Sequence, residues 1–248
     1  MIELPLFYLT AIPAVLIVGI AKGGLAGGIG VVGVPLMALT IGPVRAAAIM
    51  LPVLMVMDAF ALRAWWQRWD PANLRVLLPG AVMGTGIGWA TFRYLSADAL
   101  RVLIGGIALG YAALWFARRG PARVRPASRM RGTFWSTLSG FTSFGVHAGG
   151  PPIHVYLLSQ QLDKASFQGT TVAFFFVVNW LKVGPYALLG QFDSTNLATA
   201  LVLAPLAPIG IALGAWLHHR INETVFFRIV YASLALIGTK LIYDGLSA

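Results

Sequence analysis

Lys22-Gly23-Gly24-Leu25-Ala26-Gly27-Gly28 interrupts an otherwise apolar stretch, and Gly145-Val146-His147-Ala148-Gly149-Gly150 interrupts another in the second half of the chain. A short apolar segment follows each break, over residues 29–40 and 151–162. As a helix, either segment is only about 18 Å long at 1.5 Å per residue. The hydrocarbon core of a bilayer is about 30 Å thick. Each segment is therefore expected to start near mid-membrane and to reach only part-way. Irregular backbone at that depth is tolerated only where protein buries it or where it lines a wet cavity.

The rest of the chain supplies the membrane. Of its 248 residues, 58% are hydrophobic and 10% are charged, and the mean hydropathy is +0.79. Soluble proteins carry about 25% charged residues, so this chain cannot cover a water-facing surface. Apolar segments fall at about 4–21, 29–40, 44–64, 74–95, 97–117, 133–147, 151–162, 165–189, 196–217 and 224–243. They are too long and too uniformly apolar for the alternating strands of a membrane β-barrel. The expectation is an all-α polytopic membrane protein. The absence of cysteine excludes disulfides, thiolate metal sites and cysteine nucleophiles. The net charge of +10 reads as membrane topology and not as nucleic-acid binding, because the basic residues flank apolar segments. Glu3 precedes the first apolar run and no basic region does, so that run reads as a retained segment and not a cleaved signal.

The two halves repeat one another. At an offset of 119, Gly30, Arg45, Ala46 and Val53 fall on Gly149, Lys164, Ala165 and Val172. Further on, Asp70, Asn73 and Leu74 match Asp193, Asn196 and Leu197, and Pro79, Gly84 and Gly88 match Pro205, Gly210 and Gly214. Their common order implies a duplication of five segments. It divides the chain into repeat 1 (1–117), a basic linker (118–132) and repeat 2 (133–248).

Charge orients the repeats. The linker region carries Arg118, Arg119, Arg123, Arg125, Arg129 and Arg131, which marks it as cytoplasmic. Loop 63–75 carries Arg63, Arg68 and Arg75, whereas its counterpart around Asp193 has no basic residue. Equivalent loops on opposite sides mean inverted halves with both termini outside, although Arg93 and Arg101 fall on the outer side against this trend. In each half the first two segments are expected to form a glycine-broken, partly re-entrant hairpin.

Inverted repeats with interrupted helices are the architecture of secondary transporters. Half-helix N-termini near mid-membrane present free N–H groups and partial positive charge to an anion. The candidate substrate-binding residues are Lys22, Gly23, Gly24, Gly27, Gly28, His147, Gly149, Gly150, Gln168, Thr170, Asn179 and Lys182. A lysine near the bilayer centre costs about 2.5–3.5 kcal/mol on insertion scales and so needs a partner or a task. The same residues equally allow structural roles: snorkelling for Lys22 and Lys182, interhelical bonding for Gln168, Thr170 and Asn179, and close helix packing for the glycines. His147 and Asp58 are candidates for proton coupling, with pairing to a buried base the alternative for Asp58. Neither a nucleotide-binding loop nor a cluster of reactive side chains points to an enzyme, and no metal or cofactor is expected. The expected partners are a small anion, the lipid bilayer and a proton or other coupling ion.

The segments Lys22–Met37, Thr142–Ile153 and Leu162–Val172 resemble the sulfite exporter TauE/SafE family of membrane transporters. The resemblance extends over nearly the whole chain, although the family often has an aromatic where Leu25 or Ala26 stands. It implies transport of sulfite or organosulfonates across a bacterial inner membrane. A passive anion channel and a carrier of another small organic anion remain the alternatives.

Overall fold

A computed structural model describes residues 2, 5–24, 29–92, 94, 96–117, 127–160, 162–217 and 223–247. No strand occurs among them. The helices are α1 (Pro5–Gly23), α2 (Gly33–Ile41, entered through a 3₁₀ turn at Ile29–Val32), α3 (Pro43–Ala64), α4 (Pro71–Phe92), α5 (Ala97–Ala117) and α6 (Arg129–Val146). They continue with α7 (Gly150–Leu158), α8 (Lys164–Leu188), α9 (Ser194–Leu203), α10 (Leu206–Leu217) and α11 (Glu223–Leu246). Among the described residues, four stretches are long and apolar enough to cross a membrane: α1, α3, α8 and the α9–α10 run Ser194–Leu217. Large apolar side chains such as Leu6, Leu9, Met83, Leu201 and Leu236 lie on the outside. Such exposure is costly in water but normal against lipid.

Two differences from the sequence-based expectation have local causes. The apolar segment 196–217 forms two helices, because Pro205 lacks the N–H that would continue α9. Helix α6 starts at Arg129 and not at 133, since the Ser128 side chain accepts from the Arg131 N–H and caps it. Arg129 and Arg131 thus belong to the first turn of α6.

Matching positions do matching work in the two halves. The Asp70 carboxylate accepts from the Asn73 N–H at 2.7 Å at the start of α4. The Asp193 carboxylate accepts from the Asn196 N–H at 2.8 Å at the start of α9. Asp70 caps α4, which packs tightly against α6, and Asp193 caps α9, which leads into α10, the helix that packs tightly against α1. These pairings, α4 with α6 and α10 with α1, are among the most extensive in the molecule, together with α5 on α11. Glycine makes them close. A Cβ on Gly19 would stand 2.8 Å from the Gly210 Cα, and one on Gly84 would stand 2.8 Å from the Thr137 carbonyl carbon. Between lipid-exposed helices, such backbone proximity provides the dispersion contacts that hydrophobic burial provides in water.

Helices α2 and α7 fold back along the helices that precede them. On α2, Thr40 Oγ1 lies 3.2 Å from Thr10 Oγ1 near the start of α1. On α7, Tyr156 approaches Gly132 near the start of α6. Helices α3 and α8 pack on each other between these hairpins, and α3 is buried along most of its length. They carry Asp58, Gln168, Asn179 and Lys182 towards the hairpin tips.

Candidate functional site

Lys22 lies in the last turn of α1, where a cation suits the negative end of the helix dipole. Its Nζ forms an ion pair with Asp58 Oδ1 of α3. The other carboxylate oxygen, Oδ2, accepts from Asn179 Nδ2 of α8 at 2.6 Å. Both oxygens of Asp58 therefore accept, the arrangement of an ionised carboxylate. Gln168, also on α8, donates from Nε2 to the Lys22 backbone carbonyl at 2.7 Å. This satisfies one of the carbonyls that the end of α1 leaves without an intrahelical partner. Asp58 is 1% exposed, whereas the Lys22 side chain is 16% exposed. Of the charged side chains here, Lys22 is thus the one with open surface.

One turn beyond Asn179, on the same face of α8, Lys182 is 0% exposed. Its Nζ lies 3.1 Å from the Ser143 carbonyl oxygen, 3.1 Å from Ser143 Oγ and 2.7 Å from His147 Nδ1. All three ammonium donors have partners, and no carboxylate among the described residues bonds to it. His147 ends α6 in a left-handed conformation (φ 52°, ψ 27°), which turns the chain towards α7. Histidine is among the non-glycine residues enriched there. Its Nε2 faces the Ala47 carbonyl of α3 at 3.0 Å. A carbonyl only accepts, so Nε2 carries a proton and Nδ1 is left to meet Lys182.

The structure therefore brings the candidates into two bonded groups, Gln168–Lys22–Asp58–Asn179 across α1, α3 and α8 and Lys182–His147 across α6 and α8, which meet where Asn179 and Lys182 lie one turn apart on α8. It adds Ser143, which sequence reasoning missed. The available signal was spacing: Ser143 precedes His147 by four residues and so shares its helical face.

The other candidates sit differently. Thr170 accepts from the Asp70 N–H at 2.8 Å and donates to the Ser166 carbonyl at 2.6 Å, tying α8 to the loop before α4. Gly23 lies at the α1–α10 crossing, where a Cβ would meet the Ile211 carbonyl. A Cβ on Gly149 would fall 2.7 Å from the Ser139 carbonyl oxygen and 2.8 Å from the Phe175 ring. Gly24 follows α1 as a turn and Gly150 opens α7. Gly27 and Gly28 lie outside the described residues.

Comparison with known proteins assigns the family. No curated protein and no solved structure matches the chain. The family model for Sulfite exporter TauE/SafE matches residues 11–241, which takes in every element of the site. By that match the chain belongs to the sulfite exporter TauE/SafE family and is a multi-pass membrane transporter.

Proposed function

We propose that this transporter moves a small sulfur oxyanion, sulfite or a short organosulfonate, by alternating access between two inverted halves of a bacterial inner-membrane protein. One observation carries the anion reading. Lys182 is fully buried with no bonded carboxylate among the described residues, close to a second lysine whose own pairing leaves donors to spare. An isolated buried cation is costly in a low-dielectric interior, and a bound anion offsets that cost. In this reading Lys22 touches the anion directly, because its side chain retains open surface. Lys182 acts as a fixed positive charge behind it, all of its donors being engaged. Any coupled proton resides on the Lys182–His147 pair.

The inverted-repeat architecture has its own support. Exchanging the halves turns the α1–α10 pairing into α6–α4, α1–α2 into α6–α7 and α2–α3 into α7–α8, and it leaves α3–α8 and α5–α11 unchanged. The caps at Asp70 and Asp193 exchange as well. Sidedness is consistent too. The start of α8 meets loop 65–70 on the side assigned to the cytoplasm, and Ile2 donates to Thr199 near the start of α9 on the outer side. Both termini are then outside, and both hairpins are re-entrant.

The test is a thermal-shift panel on purified protein with sulfite, sulfate, sulfoacetate, taurine and simple carboxylates. A ligand that binds only the folded state raises Tm in proportion to the logarithm of its concentration. Sulfur oxyanions should stabilise the wild type but not Lys22→Gln. No shift with any anion, or equal shifts in both proteins, contradicts the reading.

A further inference from the structure

We infer that Asp58 sets the valence of the transported anion, so that the site takes a singly charged sulfonate or hydrogensulfite in preference to a dianion. The inference rests on the anion reading above and goes beyond it by fixing the charge class of the substrate.

Hydrogen-bond geometry constrains the charge of the site. The Asp58 carboxylate accepts on both oxygens, from Lys22 and from Asn179, and therefore carries a full negative charge. Lys22 carries one positive charge that this carboxylate balances. The Lys182–His147 pair carries one positive charge at most. The Ser143 carbonyl requires an N–H from Nζ, and the Ala47 carbonyl requires one from Nε2. The 2.7 Å contact between Nζ and Nδ1 has room for one proton, since two N–H groups cannot point at each other. Whichever nitrogen holds that proton, the pair adds no more than one positive charge. Across these buried groups the surplus is thus at most one positive charge, which a monoanion neutralises. A dianion would leave one negative charge uncompensated where water screens little.

Asp58 is the member of this network that determines the count. Without it the count rises by one positive charge, and the preference moves towards a dianion. Its distance in sequence from both hairpins, and its place on α3 between them, make it a specificity-determining residue and not part of the backbone cradle.

The experiment compares two tetrahedral sulfur anions of similar size whose charges are fixed at neutral pH: methanesulfonate, singly charged, and sulfate, doubly charged. Their dissociation constants are measured by calorimetry at matched ionic strength on the full-length protein in detergent. The wild type should bind methanesulfonate more tightly than sulfate by at least about tenfold, equivalent to about 1.4 kcal/mol. In Asp58→Asn the ratio should move towards sulfate by at least about tenfold. The conservative variant Asp58→Glu keeps the carboxylate charge on α3 and should keep the wild-type order, whereas the charge-free Asp58→Asn should not. Equal binding of the two anions by wild type, an Asp58→Asn protein that retains the wild-type ratio, or an Asp58→Glu protein that favours sulfate overturns the inference. These results leave the anion reading standing. A wild type that binds neither anion removes both.

Discussion

Replacing Lys182 by methionine is expected to weaken anion binding while leaving the protein at least as stable. The two effects come from separate features of one site. Lys182 is 0% exposed, and among the described residues its ammonium bonds to Ser143 and His147. Removing it deprives His147 Nδ1 of a donor, which costs about 1–3 kcal/mol as an unsatisfied buried acceptor. The Ser143 carbonyl keeps the His147 N–H at 3.1 Å, and its hydroxyl is free to turn. In return, a buried charge without a carboxylate disappears, together with a desolvation penalty of several kcal/mol. Methionine fills similar volume, so the net effect on stability is near zero or favourable. Binding responds differently. For an assumed separation of about 8 Å between the Lys182 charge and a bound anion, at an effective dielectric of about 20, the contribution is about 2 kcal/mol. Its loss should raise the Kd for methanesulfonate about thirtyfold. Calorimetry and thermal unfolding of the same preparation provide both numbers. A Kd within about threefold of wild type would refute the reasoning. So would a Tm lowered by more than about 5 °C, at roughly 2–4 °C per kcal/mol for a chain of this length, because Lys182 would then be a structural residue.

Two further predictions concern the framework. Gly84→Ala should destabilise by about 1–3 kcal/mol, since its Cβ would overlap the Thr137 carbonyl of α6. Gly86→Ala on the same helix meets nothing within 4 Å and should be neutral or stabilising by up to about 1 kcal/mol. Thermal unfolding in detergent separates these outcomes. Asp70→Ala and Asp193→Ala should each cost about 1 kcal/mol by the same assay, because each removes an N-cap to the third residue of its helix. A large difference between them would argue against equivalent roles in the two halves.

Much of this was legible in the sequence, for identifiable reasons. A glycine-rich interruption beside a lysine in an apolar run has few physical explanations, so the breaks at Lys22 and His147 stood out. The helices follow the apolar segments because lipid rewards continuous apolar surface. Partner choice was not legible. Asp58 was open between proton coupling and pairing with a base, and only three-dimensional packing brings it to Lys22 and Asn179. Ser143 was hidden among the serines and threonines of α6, whose polarity resembles that of any packed transmembrane helix. The glycines held two roles that spacing alone cannot separate. Gly23 and Gly149 pack against neighbouring helices, and this depends on which helix crosses where. The break at Pro205 was obscured because Pro79, its counterpart, sits within an unbroken α4.

Uptake of radiolabelled sulfite into proteoliposomes tests the central claim most directly, with wild type, Lys22→Gln and Lys240→Gln reconstituted at equal density. Lys240 is an exposed lysine that pairs with Asp244 at 2.7 Å on α11, away from the site, and serves as the charge-matched control. Wild type and Lys240→Gln should show saturable uptake, and a folded Lys22→Gln none. Uptake by Lys22→Gln at the wild-type rate would contradict the claim.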